Sequence, residues 1–90
     1  METSKLEPQL AAELEPLPPS AMRTALVVPQ GEPEPLRKRL DDEQRAGRLR
    51  FNFLSLTGHF AVEATKATML EMAQWPEVEQ ILANRTFSAT

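Results

Sequence analysis

Ninety residues, with ten Lys and Arg against thirteen Asp and Glu, carry a net charge of −3, and 41% of them are hydrophobic; that length holds one small domain and leaves little for a second. With no cysteine, one histidine and no tyrosine, the chain has no disulfide staple, no thiolate chemistry and almost no acid–base inventory. No apolar run is long enough to cross a membrane, and the acidic start from Met1 to Pro8 reads as neither a secretory signal nor a transit peptide.

Seven of the eight prolines fall in the first 35 residues, and all five aromatics lie after residue 50. Proline fixes φ and removes a backbone donor, so a segment punctuated this often predicts neither a long helix nor a central strand. With no aromatic to bury, the ordering entropy of that segment has little to offset it. Residues 1–35 therefore read as a disordered, acidic, Pro/Glu-rich arm. Leu6, Leu10, Leu14 and Leu17 recur within it at spacings of four, four and three. That pattern suits a short amphipathic helix formed on a partner's groove, or simply a solvating tail.

Residues 36–87 read as a small helix-rich domain. Pro35 and Gly47 bracket a surface helix over about 35–46, attached by Leu36 and Leu40. From Arg48 to Phe53 polar and apolar residues alternate, which predicts a strand over about 48–54, although Leu49, Phe53, Leu56 and Phe60 also keep helical spacing. The only internal pairing partner in view is Thr24–Val28; a second copy of the chain is the other. Thr57 then caps a long helix over about 59–74, whose broad apolar arc exceeds one contact stripe. Pro76 opens a final short helix over about 76–83, with Val78, Ile81 and Leu82 on one face. The expected class is an α-rich small α+β fold, with an all-α helical hairpin as the alternative.

Catalysis finds little to stand on. Ser55, Thr57, His59 and Glu63 can be written as a nucleophile set, but a lone histidine near a helix start is ordinarily solvated. His59 and Glu63 have no further His or Cys to complete a metal shell. Gly31, Gly47 and Gly58 stand too far apart to cradle a phosphate. The inventory predicts no enzyme, no metal and no cofactor.

The segment 37–50 carries six bases against three acids, between two acidic stretches. On the expected strand, Arg48, Arg50 and Asn52 share one face, and two such strands paired in a dimer would suit a DNA major groove. The arrangement over residues 48–84 resembles ribbon-helix-helix repressors, which implies a dimeric nucleic-acid-binding regulator. It departs from them in having the longer helix first and the second one after Trp75-Pro76. The plainer alternative is an edge strand whose arginines discourage aggregation.

The leading expectation is a small intracellular protein, cytoplasmic or nuclear, that self-associates or docks on a protein partner and touches no membrane. Its expected contact residues are Phe60, Met69, Met72, Trp75, Ile81 and Leu82, because so small a domain struggles to bury them all. A fragment of a larger protein is a further reading of the same chain.

Overall fold

From His59 to Thr65 every second side chain is buried: Phe60, Val62 and Ala64 face a core, while His59, Ala61, Glu63 and Thr65 face the other way. That period of two is a strand's. The computed structural model, which describes residues 5–83, places this strand inside an antiparallel sheet. In chain order the elements are α1 (Pro8–Leu14), β1 (Met22–Pro29), α2 (Glu34–Arg45), β2 (Leu49–Leu54), β3 (His59–Thr65), α3 (Lys66–Met72) and β4 (Val78–Ala83). The sheet order is β2-β3-β1-β4, and every neighbouring pair is antiparallel. From β1 onward the succession strand–helix–strand–strand–helix–strand gives the split β-α-β arrangement of ferredoxin-like topologies.

All three helices feed one core. Leu10 and Leu14 from α1, Leu36 and Leu40 from α2, and Met69 and Met72 from α3 pack with Val27, Phe60, Val62 and Ile81 of the sheet. Among the described residues the opposite face of the sheet bears no helix. Its middle row runs Asn52–Ala61–Leu26–Leu82 across the four strands. No helix among the described residues is long and apolar enough to cross a membrane.

The α-rich expectation is overturned, and so is the all-α hairpin. The expected helix over 59–74 is β3 followed by α3, and the residue that caps α3 is Thr65, whose hydroxyl accepts from Thr68 N at 3.2 Å. The expected helix over 76–83 is strand β4. Its residues are good helix formers, but β1 is a central strand whose second side needs a partner, and β4 supplies it from Ala25↔Ala83 to Pro29↔Val78. A ribbon-helix-helix arrangement, one strand and then two helices, is excluded with them.

The disordered-arm expectation also fails from Lys5 onward. The prolines there punctuate elements and leave their interiors intact. Pro8 opens α1, Pro33 and Pro35 open α2, and Pro29 closes β1 where the β1–β4 register shifts. The chain before α1 pairs with β4 through a parallel bridge, Leu6↔Ile81. Glu7 N donates to Ile81 O at 2.8 Å and Ile81 N donates to Lys5 O at 2.8 Å. Glu7 Oε1 accepts from Ala83 N at 2.8 Å. At the other end of α1, Lys66 Nζ reaches the carbonyls of Leu17 (2.9 Å) and Glu15 (3.3 Å), placing a cation where a helix ends in unpaired acceptors. The first four residues of the arm, and the stretch of the expected domain beyond Ala83, lie outside the described residues.

Candidate interaction surface

The two edges of the sheet are treated differently. The outer edge of β4 is occupied by the chain's own backbone at Lys5–Glu7. Among the described residues no backbone segment covers the outer edge of β2. There Phe51 N donates to the Gln44 side-chain Oε1 at 3.1 Å, so Phe51 turns its backbone groups away from β3. By the alternation of an antiparallel ladder, Leu49 and Phe53 turn theirs outward too.

Local sequence holds β2 at this edge. Gly47, at φ +79°, stands just past α2, where the left-handed conformation favours glycine. Its N donates to Gln44 O at 2.9 Å and Arg48 N donates to Glu43 O at 3.0 Å, the paired bonds of a Schellman stop. At the far end, Gly58 N and Thr57 N close on Leu54 O at 2.8 and 3.2 Å, turning the chain back into β3. The tip of that turn is Leu56, 98% exposed.

Grooves border β2 on more than one side. One, of about 340 Å³, lies between α2 and the strand and is lined by Glu34, Arg37, Lys38, Asp41, Phe51, Asn52 and Phe53. A second wraps over Arg50 and Asn52 toward Thr24 and Glu63, and a third runs past Met22, Leu49 and Thr65. Phe53 is 43% exposed, its ring tilted against buried Phe60 at 5.0 Å between centroids. Phe51 meets Phe60 edge-on at 5.9 Å. The edge therefore combines outward backbone groups with an aromatic side chain left half in solvent.

The residues expected to bind a partner lie mostly inside. Phe60, Met69, Met72 and Ile81 are fully buried, and Trp75 nearly so. Leu82 alone of the six is only partly buried, on the helix-free face. The basic residues are engaged within the chain. Arg48 Nε stands 2.9 Å from Glu43 Oε1, its guanidinium also meets Glu71, and Arg50 pairs with Glu63 at 3.1 Å. Asn52 is exposed beside Arg50. His59 and Glu63 share a face but stand four strand residues apart, about 13 Å. Ser55 and Thr57 belong to the turn. Among the described residues no three His, Cys, Asp or Glu side chains group to hold a metal.

Gln44, Phe53 and Leu56 were not among the expected contact residues. The alternation of β2 places Phe53 with Leu49 and Phe51 on the inner face; the arginines suit the edge position that the sheet order gives this strand, but nothing local says that Phe53 is left half in solvent. Comparison with family models, with curated proteins and with solved structures gives no match.

Proposed function

We propose that this chain is a non-enzymatic protein-interaction module that receives an extended strand of a protein partner along β2. The observation that supports it is the asymmetry of the sheet edges: β4 is covered by the chain's own Lys5–Glu7, and β2 carries outward backbone groups beside half-exposed Phe53. In strand addition the main chain supplies affinity, and alternate side chains entering neighbouring pockets supply selectivity. Here the pocket is the groove between α2 and β2, where Phe51 and Phe53 offer apolar surface and Arg37, Lys38, Glu34 and Asp41 offer charge.

The test is a displayed random-peptide library panned on the full chain and on Phe53→Lys, a change that places a charge on the edge in the way natural sheets block pairing. Expected is enrichment of peptides with alternating apolar residues that the substitution abolishes while circular dichroism stays unchanged. No enrichment, or enrichment indifferent to Phe53→Lys, overturns the reading.

A further inference from the structure

We infer that the strand received by β2 is β2 of a second copy of the chain, paired antiparallel about a two-fold axis through Phe51. This rests on the edge-strand reading above and adds the identity of the occupant. The residues whose backbone groups turn outward, Leu49, Phe51 and Phe53, form an apolar row centred on Phe51, and a two-fold pair must be self-complementary. With Phe51 opposite its own copy, Leu49 faces Phe53 twice, so each half-exposed Phe53 ring is set against the core edge at the other copy's Leu49, itself 4% exposed. Arg50 then faces Asn52 twice, a cation against an amide oxygen.

Charge selects this register. Sliding the pair toward Leu49 sets Arg50 opposite Arg50 or opposite Arg48, and like charges directly across strands are unfavourable. Sliding it toward Leu54 sets Arg50 against an apolar residue or against the turn, and shortens the ladder. Gln44 acts as the edge's stopper: its Oε1 takes the Phe51 N–H in the single chain, and that N–H donates to the Phe51 carbonyl of the second copy once the amide swings away.

The chain has no cysteine, so disulfides introduced at β2 report register directly. Arg50 and Asn52 face β3 with their backbone groups, which makes their cross-seam pairing the close, non-hydrogen-bonded kind, about 4.5 Å between Cα atoms and within disulfide range. Full-length Arg50→Cys and Asn52→Cys proteins are mixed and oxidised, and the wild type is followed by sedimentation over a concentration series. Expected are a wild-type dimer, a mixed disulfide in preference to either homodisulfide, a dissociation constant raised about tenfold or more by Phe53→Lys, and one lowered by Gln44→Ala. A homodisulfide from either variant, or a wild-type monomer at every concentration, overturns the inference. If the monomer still captures alternating peptides, the edge-strand reading stands with another occupant. If it captures none, both fall.

Discussion

The Arg39 guanidinium lies 4.2 Å from the centre of the Trp75 ring. From the same position it reaches Glu77 Oε1 at 3.1 Å. One side chain of α2 thus fastens the connection between α3 and β4, where Trp75 is 94% removed from solvent and Lys5 Nζ donates to its carbonyl at 2.6 Å. Arg39 itself is 39% exposed, so the cation–π contact and the ion pair are discounted by water. Arg39→Ala is expected to lower stability by about 1 kcal/mol, and Arg39→Lys to recover only part of it, because an ammonium stacks less well than a planar guanidinium. Trp75 is the only tryptophan, so urea unfolding followed by its emission reads both the midpoint and the local contact. A wild-type midpoint with unchanged emission in Arg39→Ala would show that the contact contributes nothing.

Leu10 and Leu14 separate an integral α1 from a loosely tethered one. Both are 1% exposed within the core shared by all three helices. Truncating either to alanine is expected to lower stability by about 2–5 kcal/mol, the range for a buried leucine. Glu13, exposed on the same helix, is expected to tolerate alanine within about 0.5 kcal/mol. Thermal unfolding of the three variants decides it. Equal melting of Leu10→Ala, Leu14→Ala and wild type would return α1 to the status of a tail.

What the sequence discloses here is what is local. Pro35 and Gly47 mark α2 because caps act within one turn, and the alternation from Arg48 to Phe53 marks β2 because a pleat acts between neighbours. The same alternation is present in Phe60, Val62 and Ala64, but alanines, a glutamate and a plausible cap at Thr57 favour helix over those residues. The pairing of β3 with β1, such as Phe60 with Val27, overrides that preference. β4 is the clearer case, since Val78–Ala83 has no strand signature and becomes one by completing the second side of β1. The candidate surface was hidden for a related reason. The arginines of β2 suit an edge strand, the plainer reading above, but Phe53 is half-exposed only because of which strand and helix flank it, and that is a property of the whole chain.

Thr65 and Thr57 test the boundary between β3 and α3. Thr65 Oγ1 accepts from Thr68 N and stands 3.1 Å from Thr68 Oγ1, in partly buried surroundings. Thr65→Ala is expected to lower stability by about 1 kcal/mol, the usual loss for an N-cap. The Thr57 side chain, exposed in the turn, accepts a long hydrogen bond from His59 N at 3.4 Å. Thr57→Ala is expected to change stability by no more than about 0.5 kcal/mol. Denaturant midpoints compare the pair, and a larger loss at Thr57 would restore the helix over 59–74.

Arg48 and Arg50 sit two residues apart but serve different ends, and their alanine variants should diverge. Glu43 Oε1 is buried, and the cation beside it is Arg48, whose Nε stands 2.9 Å away without the alignment of a hydrogen bond. Removing Arg48 leaves that carboxylate oxygen without its counter-charge in a half-dry site, a loss of about 1–2 kcal/mol. Arg50 is 80% exposed against a Glu63 that is 40% exposed. Water screens such a pair, so Arg50→Ala should stay within about 0.5 kcal/mol of wild type. Unfolding at low and high salt measures both, and duplex DNA titrated at low salt supplies the contrasting readout. A strand that reads nucleic acid would lose salt-sensitive DNA binding in both variants whatever their stabilities. The expected result is a stability difference that tracks burial, Arg48 over Arg50, with no DNA binding in wild type to lose.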